Sequence, residues 1–442
     1  MTFSIRDLSL DLRSGELSPT EHVRDVLDRL RGDTTNAVVT LDEERALADA
    51  AARTEELGRG EWRGPLHGVA VGVKDIIDVE GLPTRCGSAV LADAAPAEAD
   101  NPVVARLREA GAVVVGKLHT HEFAYGPTGD VSVSGPARNP HDPTRITGGS
   151  SSGSAAAVAA GHLALTLGTD TGASVRVPAA LCGVVGLKPT RGRLSTERVF
   201  PLSDTCDHVG VLTADVHGAS VVWDVLARPD GTGGGIQQPG VSGVRIGVPT
   251  GPYWEAADPV IVETTRDAVA RLEKAGAQIT EIEIPAIDEL APLYFTIVNA
   301  EAYATHRDLL AARRADYQPA TLERLEPNAN LTATEYIDAQ RARVRLTAEI
   351  RTACDGIDAL VLPTTRVRAT PIGAESVEVG GRDVTVRPAL LALTLPFNLT
   401  GWPAVSVPGR VDQGELPVGV QIAGVRLEER GVLRVAAAIE RS

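Results

Sequence analysis

The run Gly148-Gly149-Ser150-Ser151-Ser152-Gly153-Ser154 passes without a break into Ala155-Ala156-Ala157-Val158-Ala159-Ala160. By composition the first half is a flexible linker. Linkers, however, do not usually lead straight into an apolar helix flanked by strands, which the apolar runs 112–115 and 163–167 predict here. A tight turn at a helix N-terminus fits better, because free backbone N–H groups and serine hydroxyls meet there. A phosphate-binding loop is disfavoured, since the Lys-Ser/Thr of a Walker motif is missing.

The same alternation extends along the chain. Ser18-Pro19-Thr20-Glu21 is a capping box with Pro at the first helical position, and Val23, Val26, Leu27 and Leu30 follow on one face. A second helix is predicted from near Asp42 to just before Gly58. The apolar stretch 69–73 reads as a strand ending at Lys74-Asp75, and 102–109 as a helix stopped by Gly111. Beyond these, 244–248, 261–275 and 279–284 form a β-α-β pattern. Helices alternating with short apolar strands predict an α/β fold with a largely parallel sheet. The Gly- and Pro-rich stretch 229–244 is expected to be a surface connection, either between two domains or within one.

Composition excludes several classes of partner. Aromatic residues make up only 3% of the 442, so Ala, Val and Leu must fill the core. A net charge of −15 repels polyanions, which argues against nucleic acid and anionic membranes. The longest apolar candidate, Ala155 to Ala164, is broken by Gly161 and His162 and falls short of the ~18 residues a span needs. Met1 to Asp7 shows no basic stretch followed by an apolar one, so the expected location is cytoplasmic. Cys86, Cys182, Cys206 and Cys354 lack zinc spacing and read as buried thiols.

Three segments carry chemistry. Lys74 ends an apolar strand, where desolvation would lower its pKa and make it a base. Its bland alternative is a pairing with Asp75 or Asp78. Lys74, Lys117, Lys188 and Lys274 are the only lysines in a chain whose other basic residues are arginine. A retained lysine suits a role that requires losing a proton. The Gly/Ser turn around Ser150 is the second segment. The third, Gly168-Thr169-Asp170-Thr171-Gly172-Ala173-Ser174, is rich in small residues that let successive N–H groups converge on an oxyanion, with Ser174 placed to attack the carbonyl. No Gly-x-Ser-x-Gly elbow exists, which leaves a serine–lysine mechanism. His119-Thr120-His121 follows a predicted strand as in many metal hydrolases, but further ligands are not placed to complete a site, and no metal is expected.

Together these segments resemble the amidase signature family. Gly-Val-Lys-Asp, Gly-Gly-Ser-Ser-Ser-Gly-Ser and Gly-Thr-Asp-Thr-Gly-Ala-Ser-Val-Arg-Val-Pro-Ala occur in the family's order and at its serine-to-serine spacing. The likeness continues through 181–190, 207–210, 396–401 and 416–421. It implies one amidase-signature domain over 1–442, with a large mixed, mostly parallel twisted sheet covered by helices on both faces. It further implies Ser174 as nucleophile, Ser150 after a cis peptide as the bridging serine, and Lys74 as base. The N–H groups of Thr171, Gly172, Ala173 and Ser174 match the oxyanion hole, while Ser151, Asp170 and Arg176 match supporting positions.

The implied reaction is hydrolysis of a small carboxamide to a carboxylic acid and ammonia or an amine, through an acyl-enzyme and without a cofactor. Ala173, where most members have glycine, is similar to the indoleacetamide and mandelamide hydrolase branch, which implies an aryl or apolar acyl group. Phe123, Tyr125 and Gly126 are candidate substrate contacts, with Tyr294 and Phe295 as further candidates for the pocket wall. One alternative is the glutaminase component of a tRNA-dependent amidotransferase, against which Val177 stands in place of the usual Gln. Another is hydrolysis of carbamates, biuret-type ureas or esters. The resemblance leaves a homodimer open.

Overall fold

Eleven short strands hydrogen-bond into one sheet in the computed structural model, which describes residues 4–227, 235, 240–285, 287–379 and 381–441. In chain order they are β1 (Val38–Leu41), β2 (Ala70–Lys74), β3 (Val113–Leu118), β4 (Leu165–Thr169), β5 (Val185–Lys188) and β6 (Val209–Thr213). There follow β7 (Arg245–Pro249), β8 (Gln278–Ile282), β9 (Ala359–Pro363), β10 (Ala404–Pro408) and β11 (Gly419–Gly424). Across the sheet the order is β1-β3-β2-β4-β6-β5-β10-β11-β9-β7-β8. Most of the connection expected at 229–244 lies outside the described residues, as do 228 and the single positions 286 and 380.

The sheet is mixed, as expected. Its parallel share is confined to two blocks, β3–β2–β4 and β9–β7–β8; the other neighbours, β1–β3, β4–β6, β6–β5, β5–β10, β10–β11 and β11–β9, run antiparallel. Helical crossovers build the parallel blocks, whereas β10 and β11 follow each other through a short loop, which can only join antiparallel strands. β2, β3, β4 and β11 are buried along their whole length. That explains their continuous apolar runs, because a strand covered on both faces has no polar side to present. Alternate side chains of β3 divide accordingly. Val113 and Val115 pack with Val23, Val26 and Leu27 of the Pro19–Arg31 helix, while Val114 joins the main core.

The Ser18 capping box forms as predicted. β3 runs past Gly116, where the sequence suggested a stop. Gly116 has φ +153°, and a Cβ there would sit 2.1 Å from Thr40 O. The glycine thus admits β1 rather than ending β3. The extension carries Lys117 into the interior, so Lys74, Lys117 and Lys188 are all fully buried and only Lys274 is exposed. No helix among the described residues is long and apolar enough to cross a membrane.

Register sets up the site. β2 and β4 are parallel neighbours, with Val73 opposite Leu167, so Lys74 and Thr169 emerge at the same edge of the sheet. The C-terminal ends of parallel strands are where an open α/β sheet leaves a crevice. β6 runs antiparallel to β4 and pairs Val209 with Thr169, which brings the preceding Asp207 and His208 to that edge as well.

Candidate active site

The Lys74 side chain is completely buried, and its Nζ donates to Ser150 Oγ at 2.6 Å and Thr169 Oγ1 at 2.8 Å. Among the described residues no carboxylate pairs with it. Asp75 is held by Lys117 at 3.1 Å, and Asp78 accepts from Thr84 Oγ1 at 2.7 Å. Burial therefore dominates and pushes Lys74 down to about 7, against an upward pull from the Asp207 and Asp170 carboxylates.

The Gly149–Ser150 peptide is cis. The glycine before Ser150 is needed for close approach: a Cβ at Gly149 would lie 2.7 Å from Gly129 N. The turn leads into the helix Ser152–Ala159, and Ser151 stitches it to the Ser174 loop. Ser151 N–H donates to Ser174 O at 3.2 Å, and Ser151 Oγ donates to Thr169 O at 3.1 Å. Among the described residues no hydrogen bond joins the Ser150 and Ser174 hydroxyls. Ser174 instead lines a cavity and is 6% exposed.

Asp170 shapes the turn that leads to Ser174. Its Oδ2 accepts from the N–H groups of Val175 and Arg176, while those of Thr171, Gly172, Ala173 and Ser174 make no hydrogen bond among the described residues. Arg176 binds Asp170 at 2.8 Å, and both side chains are fully buried. Burial alone would raise the Asp170 carboxyl, but the Arg176 guanidinium outweighs it and holds the group well below the usual carboxylate range. Gln421 on β11 and Asn398 complete the lattice, accepting from Arg176 at 2.8 and 2.6 Å.

Not every expected residue reaches the cavity. Tyr125 and Gly126 line it, together with Thr171 and Gly172. Tyr294 and Phe295 line it too, as anticipated for the pocket wall. Tyr294, on the helix Leu290–Arg313, packs so closely on Gly172 that a Cβ there would meet its Oη at 2.3 Å. Phe123 does not line the cavity. It is 1% exposed and packs against Phe200, His306 and Tyr317 behind the wall. Ala173 is fully buried in the core and is not a lining residue, so its methyl does not touch the cavity. His119 and His121 are spent on structure: His119 bonds Ser152 Oγ and Gly135 O, and His121 Nδ1 accepts from Gly129 N.

Sequence reasoning passed over the parts played by two residues. Thr169 appeared only as part of a small-residue run, and Asp207 only as part of a matching stretch. Asp207 accepts from Thr171 Oγ1 at 2.5 Å and from the N–H groups of Leu202 and Ser203, tying the 170–174 turn to the cavity wall; burial pushes it up to about 6. Only their contacts across the sheet edge mark these residues out, and no local pattern reports those.

Comparison with known proteins agrees with this geometry. The chain matches the Amidase family over residues 21–433. It is 37% identical to AtzE, a component of the 1-carboxybiuret hydrolase of Pseudomonas sp. (strain ADP), covering 92% of this chain and 90% of that protein. It is 34% identical to the glutamyl-tRNA(Gln) amidotransferase A chain of Moorella thermoacetica, covering 99% and 96% respectively. A crystal structure of an amidase superposes with a TM-score of 0.91 at 37% identity, covering 99% of each chain. A family match over nearly the whole length, on a fold that superposes end to end, makes this chain a member of the amidase family, an enzyme that hydrolyses amide bonds.

Proposed function

We propose that this enzyme cleaves a small-molecule carboxamide through an acyl-enzyme on Ser174, with Lys74 as base and Ser150 as the bridge between them. The observation that carries the reading is Lys74, a buried amine bonded to Ser150 and without a carboxylate partner among the described residues. Near neutral pH much of it is unprotonated, and a neutral amine can take a proton from Ser150 as Ser150 takes one from Ser174. The Ser174 oxygen then bonds to the amide carbon, and negative charge gathers on the carbonyl oxygen beside the free N–H groups of residues 171–174. The relay returns its proton to the nitrogen, the C–N bond breaks, and ammonia or an amine leaves. Water repeats the sequence on the ester and releases the acid. The Ser150–Ser174 link belongs to the substrate complex, since catalytic hydrogen bonds often tighten only then.

Leu202, Tyr294, Phe295, Val298 and Leu391 offer an apolar wall that suits an aryl or alkyl body. The aryl preference inferred from Ala173 rests on this wall instead, because the Ala173 methyl is enclosed in the core. A second reading, the glutaminase of an amidotransferase, draws on the likeness to the Moorella chain over 99% of this one. Ammonia release from glutamine, asparagine, an aryl acetamide and biuret, measured side by side, separates the readings. Ser174→Ala is expected to abolish acyl transfer from any accepted amide to hydroxylamine; hydroxamate formed by that variant would refute the assignment. Light scattering tests the homodimer.

A further inference from the structure

One cation stands alone in the wall of this cavity. Arg387, on the short helix Val386–Leu391, lines it together with Ser174 and Gly172, and no aspartate or glutamate is among the lining residues. Its guanidinium lies 5.9 Å from the Tyr125 ring centroid and 5.3 Å from that of Phe295. Among the described residues it makes no hydrogen bond and no ion pair, and its Nε is buried without a partner. The other arginines around the site are engaged. Arg176 bonds Asp170, Gln421 and Asn398, while Arg324 Nη1 donates to Tyr125 O at 2.5 Å and contacts His121 Nε2 at 3.1 Å.

Arg387 is half-buried with its Nε enclosed, and the rest of its fork has no protein partner among the described residues, so it is open to an anion that enters the cavity. Cation–π contact with two rings uses none of its N–H groups, and those match the two oxygens of a carboxylate. Long-range attraction does not supply this selectivity, because a chain of net charge −15 repels anions at a distance. The recognition has to be local.

We propose that Arg387 selects substrates carrying a carboxylate on the same small molecule as the scissile amide, held by the guanidinium while the amide carbonyl lies against residues 171–174. This deepens the reading of Ser174 as nucleophile and rests on it. The preferred class is therefore the monoamide of a dicarboxylic acid, or an equivalent anionic amide or ureide, rather than a neutral carboxamide.

The test pairs glutaramate with valeramide, and terephthalamate with p-toluamide, scored by ammonia release. For the wild type, kcat/KM should favour the anionic member by about 10- to 100-fold, the range of a charge-assisted hydrogen-bond pair. In Arg387→Met the ratio should collapse to below about 5-fold, with the loss falling on KM for the anionic member, and Arg387→Lys should restore part of it. A wild-type ratio near unity, or a ratio that survives in Arg387→Met while both rates fall together, overturns the proposal. Calorimetric titration of glutarate into Ser174→Ala reads the anion site without turnover. Binding there that Arg387→Met removes supports the proposal, and no binding overturns it. Hydrolysis persisting in Ser174→Ala would instead overturn the nucleophile assignment and leave the anion result to stand by itself.

Discussion

At the scale of the residue, the reactivity proposed for Lys74 comes at a cost in stability. Unfolded, its amine would titrate near the ordinary lysine value of about 10.4, whereas burial brings it to about 7 in the folded chain. Between those values the unfolded chain holds a proton that the folded chain has lost, so this group's contribution to stability rises with pH across that window. Its burden is fully present below about pH 7 and fades toward pH 10. Lys74→Met should therefore be inactive yet gain urea resistance over the wild type, with the gap widest below about pH 7 and closing toward pH 9.5. A gap that stays constant with pH would show that the amine is not neutral when folded. The same titration gives wild-type kcat an acid limb near pH 7 wherever chemistry limits the rate.

At the scale of the element, the site depends on one buried lattice that joins distant strands. Arg176 reaches Asp170 after β4, Gln421 on β11, and Thr394 O and Asn398 in the segment leading to β10. Arg176→Met leaves the Asp170 carboxylate in the interior without its cation, which should cost about 3–5 kcal/mol in urea unfolding. Adding Asp170→Asn should recover part of that loss. A loss below about 1 kcal/mol would mean that water reaches Asp170. Local elements were legible because their causes are local: the Ser18 capping box, the helix Pro102–Glu109 and the apolar runs of β2 and β4 all lie in short windows of sequence. Lys74, Ser150 and Ser174 were legible as motifs. Strand order, the antiparallel middle of the sheet and the contacts of Thr169, Asp207 and Arg387 were not, because each depends on which segments the fold brings together. Phe123 was misplaced for a similar reason. Phe123 and Ala124 both adopt left-handed φ, +49° and +57°, and this reversal presents Tyr125 to the cavity while Phe123 turns into the core.

For the whole molecule, the arrangement separates a strongly acidic exterior from a cavity whose charged lining residue is an arginine. The sheet supplies the common frame: one parallel block carries Lys74 and the Ser174 loop, and the other ends at the edge strand β8. The Pro259–Lys274 helix leads into that edge, eight strands along the sheet from β2. With Lys74, Lys117 and Lys188 enclosed, Lys274 is the side-chain amine open to solvent. A succinimidyl ester at pH 8 should therefore label Lys274 and the terminal amine and leave turnover near its starting value; labelling at Lys117 or Lys188 would show that the interior opens. Because its reactive handles are so few, amine coupling to an activated bead attaches the enzyme in only a few orientations, whereas lysine-rich proteins couple at random.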